Sequence, residues 1–139
     1  MELKTLYQEL RGNFSEAVYR MDGDEQMLRM VVLLFLKDDS LIQIKKSMER
    51  EDWTGAFDAV HRLKGVVINL GFDDLYQASS DLCESLRPGR PGEDTMRLYQ
   101  KLVRVYGKTM EALLRYASAE SELGILSEDS AGYPRVRSR

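Results

Sequence analysis

Proline falls at only three places, Pro88, Pro91 and Pro134, which leaves two long proline-free stretches in a chain of 139 residues. An interior proline deletes a helical hydrogen bond and clashes with the turn before it, so full-length helices require such stretches. No run alternates apolar and polar residues as a half-buried strand would, and no internal repeat or low-complexity tract is present. The length suits one domain with one core, and 43% hydrophobic against 31% charged residues suits a folded, soluble chain. The expected fold class is all-α: an antiparallel up-down four-helix bundle with a short additional N-terminal helix.

The apolar spacing places the elements. Leu3 to Leu10 reads as the short helix, Gly12 and Asn13 as a connection, and Phe14 to Arg20 is ambiguous. Asp22-Gly23-Asp24 supplies an N-cap for a long second helix running to about Met48, with Leu28, Val31, Leu34, Phe35, Leu41, Ile42 and Met48 on its apolar face. Asp52 caps a third, in which Trp53, Ala56, Val60, Leu63, Val67 and Leu70 recur at alternating steps of three and four residues, the seam of a bundle helix. Gly71 ends it, and Asp73 and Asp74 open a fourth helix that carries Leu75, Ala78, Ser79, Leu82, Cys83 and Leu86 inward. The breakers from Arg87 to Gly92 precede a fifth, opened by Glu93 and Asp94 and built on Leu98, Leu102, Val105, Thr109, Leu113 and Tyr116. Residues 1–117 are expected to form the domain and 118–139 a flexible C-terminal tail.

Charge and cysteine usage narrow the function. Twenty basic against 23 acidic residues give a net charge of −3, so no global basic field draws in nucleic acid or an anionic membrane. A single cysteine, Cys83, excludes a disulfide framework and a multi-cysteine zinc site, and fits a reducing cytoplasm. The longest apolar run, Met30 to Leu36, falls far short of the roughly 20 residues needed to cross a bilayer, and no targeting segment precedes it. The one histidine, His61, excludes chemistry that needs two imidazoles from this chain alone.

At about 100° per residue, His61 lies roughly 130° from the centre of the third helix's seam and faces water. Phe57, Lys64, Gly65 and Ile68 share its face, at i−4, i+3, i+4 and i+7. A glycine inside a helix costs about 1 kcal/mol relative to alanine, and Gly65 projects away from the seam, so core packing does not account for it. Its bareness leaves the ring edge open, and Lys64 puts an ammonium where a dianion on the ring would sit. That combination suits a nucleophile that carries phosphate. No phosphate-cradling glycine loop and no metal-ligand cluster accompanies it, so no nucleotide, cofactor or metal site is expected in this chain.

His61-Arg62-Leu63-Lys64-Gly65 followed by Asn69-Leu70-Gly71 resembles the signature of histidine-containing phosphotransfer (HPt) domains. Phe35-Leu36, Asp52-Trp53 and Leu82-Cys83-Glu84 resemble that family in order and spacing, and the likeness extends from about Asp22 to Tyr116. It departs at Val60, Val66 and Val67, where many members have smaller residues. The resemblance implies a cytoplasmic, monomeric phosphocarrier of a two-component phosphorelay, without ATP-dependent kinase activity of its own. It would exchange a phosphoryl group with response-regulator receiver domains or a hybrid histidine kinase. By position, His61 is the phosphoacceptor, Lys64 the neighbouring cation and Gly65 the residue that opens space, while Asn69 and Gly71 are structural. The aspartate and the Mg²⁺ would belong to the receiver. Phe57 and Ile68 would form the docking centre, with Lys64, Lys45 and Lys46 facing an acidic pocket.

Three other readings use the same residues. Asp58 and His61, three apart, resemble half of a carboxylate metal site, but such ligands point into a bundle and His61 points out. A sensor-kinase dimerisation helix also exposes a histidine, typically followed by an acidic residue where this chain has Arg62. A helical adaptor with an inert histidine is the alternative from another class, and phosphoryl uptake separates the two.

Overall fold

The computed structural model describes residues 1–122, whose regular structure is all helical, with no strand among them. The elements are α1 (Leu3–Glu9), α2 (Phe14–Arg20), α3 (Glu25–Leu34), a 3-10 turn (Phe35–Lys37), α4 (Ser40–Glu49), α5 (Trp53–Leu70), α6 (Asp73–Leu86) and α7 (Thr95–Glu122). α5 packs against α4 on one side and α6 on the other, α6 packs against α7, and α3 touches both α5 and α7. Links as short as Gly71-Phe72 reverse the chain between neighbouring helices.

The sequence makes these helices by capping and by apolar spacing. The carboxylate of Asp52 accepts the Gly55 amide at 2.9 Å, and that of Asp24 the Met27 amide at 3.0 Å. Asn13 does the same for Glu16 at 3.0 Å, which settles the ambiguous segment as α2. The α5 seam is buried at Ala56, Val60, Leu63, Val67 and Leu70, and all six α6 positions expected inside are buried. A chain of aromatic contacts ties the ends together: Tyr7 to Phe72 at 5.6 Å between ring centroids, Phe72 to Phe35 at 5.8 Å and Phe35 to Tyr106 at 6.0 Å.

Gly71 closes α5 in the left-handed region, at φ 70°. A Cβ there would meet the Asn13 carbonyl oxygen at 2.6 Å. The α1–α2 turn docks on this helix end, with the Asn13 amide donating to the Gly71 carbonyl at 2.8 Å and the buried Tyr7 hydroxyl to that of Leu70 at 2.6 Å. The N-terminal helices thus fasten the base of the helix that carries His61.

Two expectations need correction. The long second helix is two helices, α3 and α4, because Asp38 is extended (φ −63°, ψ 134°). Its carboxylate accepts the Ser40 amide at 3.0 Å and the Ser40 hydroxyl at 2.9 Å, the local bonding by which short polar side chains displace helical hydrogen bonds. The Tyr106 hydroxyl of α7 donates to the same carboxylate at 2.5 Å and fixes the break. After this reset Ile42, expected on the apolar face, is 56% exposed, and Leu34, expected there too but at the end of α3 before the break, is 54% exposed as well. Secondly, α7 passes the expected domain end at residue 117 and reaches Glu122. Buried Glu120 holds that extension: it accepts the Tyr116 hydroxyl at 3.1 Å and Arg29 of α3 at 3.2 Å. The rest of the expected tail, 123–139, lies outside the described residues.

Candidate functional site

His61 stands exposed midway along α5, between buried Val60 and Leu63 on the seam. Its ring stacks on that of Phe57, one turn back, at 5.8 Å between centroids and 29° between planes. The imidazole takes part in no hydrogen bond or ion pair among the described residues, so neither ring nitrogen is committed to the protein. One turn ahead, a Cβ built on Gly65 would meet nothing within 4 Å. The ring therefore has a supported face on Phe57 and an open approach over Gly65.

Phe57 is half-buried and packed against the core, so it serves the ring and the bundle edge at once. Ile68 is 37% exposed, and Val66 beside it is also exposed. Lys64 is half-buried, and its charge, with that of Arg87, opposes the rise that burial imposes on the Cys83 thiol of α6. Asn69 spans α5 and α2, donating to the Gly65 carbonyl at 3.2 Å and accepting from Arg20 at 3.1 Å.

The structure adds two residues at the end of α6, Glu84 and Arg87. Arg87, just past its end, grips Glu84 through Nε, at 3.1 Å and 3.2 Å from the two carboxylate oxygens, and through Nη2 at 2.6 Å. The Arg87 guanidinium also lies 5.2 Å from the Phe57 ring centroid. This hydrogen bonding, helped by the charges of Arg87 and Lys64, holds the Glu84 carboxyl below its usual range. A helical wheel of α5 alone could not show this pair. The available signal was the turn at Gly71-Phe72: counting out equally along both helices brings Phe57 level with Leu86, beside Arg87, and His61 level with Leu82, within two residues of Glu84.

Lys45 and Lys46 do not join the group. Lys45 lines a groove of about 290 Å³ between α4 and α7, with Ile42, Tyr106 and Leu114, and Lys46 is an exposed side chain of α4. Both belong to α4, which packs against α5, whereas the partner recorded for the His61 ring is Phe57 of α5 itself. Asp58 is exposed like His61, and among the described residues no group of three or more His, Cys, Asp or Glu is placed to hold a metal ion. No described helix is long and apolar enough to cross a membrane.

An all-helical module with a solvent-facing histidine, a bare i+4 position and a lysine at i+3 is the class that fold and site define. A family model, the Hpt domain, matches residues 17–120, and the chain belongs to that family. Hpt domains are phosphocarrier modules, not kinases, and carry out histidine phosphotransfer in two-component phosphorelays, working with receiver domains and histidine kinases. No curated protein and no solved structure matches the chain.

Proposed function

We propose that His61 reversibly accepts a phosphoryl group from a receiver-domain aspartate and passes it to another receiver. A ring nitrogen attacks phosphorus in line. The N–P bond forms as the acyl P–O bond breaks, the aspartate leaves as a carboxylate, and the proton on the other ring nitrogen stays in place. Phosphoryl transfer asks mainly for position and charge neutralisation. Phe57 holds the ring plane, Gly65 leaves its edge clear, and Lys64 offers an ammonium to the phosphoryl oxygens. The receiver brings the aspartate and the Mg²⁺ bound with it.

The observation that carries this reading is the uncommitted imidazole beside an empty glycine position, in the middle of a helix whose other flank is core. Phe57 and Ile68 form the centre of the receiver contact, with Lys64 facing its acidic pocket. Lys45 and Lys46, on α4, are not needed for that contact. We place the carrier in the cytoplasm, as a monomer.

Incubation with a phosphorylated receiver and Mg²⁺ tests the reading. The protein should gain an acid-labile, base-stable phosphate, and the His61→Gln variant should gain none. Failure to take up label from any receiver of the source organism, with the fold intact, would leave the inert adaptor as the better reading.

A further inference from the structure

Two cations, Arg87 against the Phe57 ring and Lys64 three residues past His61 on α5, lie in the field of one carboxylate. Arg87 is one aromatic ring away from His61, its guanidinium over Phe57 and its donors on Glu84. Lys64 is the other, and its charge also acts on Glu84. Glu84 is itself exposed, so nothing in the core requires an acid there. Its low-lying carboxyl keeps it ionised at neutral pH. A phosphoryl dianion on His61 would compete with Glu84 for both cations.

We infer that Glu84 is a positioning residue that restrains Arg87 and so limits the lifetime of the phosphohistidine, keeping the group transferable rather than trapped. The inference rests on the proposed phosphorylation of His61. A carrier that clamped its phosphoryl group with two free cations would stabilise the loaded state against onward transfer. Glu84 offsets part of that stabilisation, because Arg87 must leave a bidentate carboxylate to reach the phosphate. The reaction it governs is loss of the group: to water, with the N–P bond breaking and inorganic phosphate and free imidazole forming, or to a receiver carboxylate.

The experiment compares purified phosphorylated wild type, Glu84→Gln, Arg87→Gln and the double variant, following loss of phosphate to water and to a receiver. Glu84→Gln should lengthen the half-life in water about two- to fivefold, the scale of an exposed ion pair, and slow onward transfer. The gain should shrink in high salt, which screens exposed charges. Arg87→Gln should shorten the half-life, and in its background Glu84→Gln should do much less. Glu84→Asp should stay close to wild type, and thermal midpoints should hardly move, which separates the effect from a structural one. An unchanged half-life in Glu84→Gln, or an equal change with Arg87 absent, overturns the inference while leaving His61 phosphorylation standing. Absence of phosphate on wild type overturns both.

Discussion

Gly65 separates stability from function more sharply than any other position. A Cβ there meets nothing within 4 Å, and the residue lies inside α5, so a side chain adds neither clash nor strain. Alanine should stabilise the domain by about 0.8–1 kcal/mol and glutamine by about 0.5–1 kcal/mol, the helix-propensity difference from glycine. For a domain of this size that is a rise of about 2–5 °C in thermal midpoint. Transfer should move the other way. A glutamine one turn from His61 covers the edge over which the receiver must bring phosphorus in line, and displacing reacting groups by about 1 Å can cost about a hundredfold. Thermal unfolding by circular dichroism, with rapid-quench transfer from a labelled receiver, gives both readings on one set of samples. The expected rate order is wild type, then Gly65→Ala, then Gly65→Gln, with both variants more stable than wild type. Unchanged transfer in Gly65→Gln would refute the role of the open edge, and a lowered midpoint would refute the empty space. Gly71→Ala is the contrast: at φ 70°, with Asn13 oxygen 2.6 Å and the Ala17 Cβ 3.2 Å from the new atom, it should destabilise by more than the about 1–2 kcal/mol of left-handed strain alone.

Further outcomes test other parts of the fold. Glu120→Ala should cost about 1–3 kcal/mol in urea unfolding, since it strips Arg29 and the Tyr116 hydroxyl of their shared acceptor; no change would mean the last turns of α7 are dispensable. Burial, first in each case, holds the phenols of Tyr7, Tyr106 and Tyr116 well above the ordinary value near 10. Above that pH the unfolded chain releases protons the fold retains, so stability should fall as pH rises; phenolate absorbance from these three should appear only with loss of helical signal, and early titration in the folded state would contradict it. Lys45→Gln with Lys46→Gln should leave transfer rates near wild type, and a large loss would put the receiver contact on α4.

What the sequence made legible were features carried by one helix. The seam from Ala56 to Leu70 and the inward set from Leu75 to Leu86 are apolar at the right steps, so α5 and α6 followed from periodicity. The face around His61 followed from the same arithmetic, since Phe57, Lys64 and Gly65 lie within a turn of it. The break at Asp38 was harder, because apolar residues continue on both sides of Asp38-Asp39-Ser40, and the hydroxyl that pins it comes from Tyr106 of α7. The end of α7 depended likewise on Arg29, far away in sequence. Arg87 read as part of a breaker cluster, and only packing of α6 on α5 brings it over Phe57. Lys45 and Lys46 lie on α4, a different helix from His61, so a wheel of α5 could not relate them to the ring.

The most direct measurement is phosphorus NMR of the protein after exchange with a phosphorylated receiver and Mg²⁺, on wild type and His61→Gln side by side. The expected result is a phosphoramidate resonance from wild type that disappears in acid and is missing from the variant. A wild type without that resonance, or a variant that retains it, would contradict phosphoryl transfer through His61.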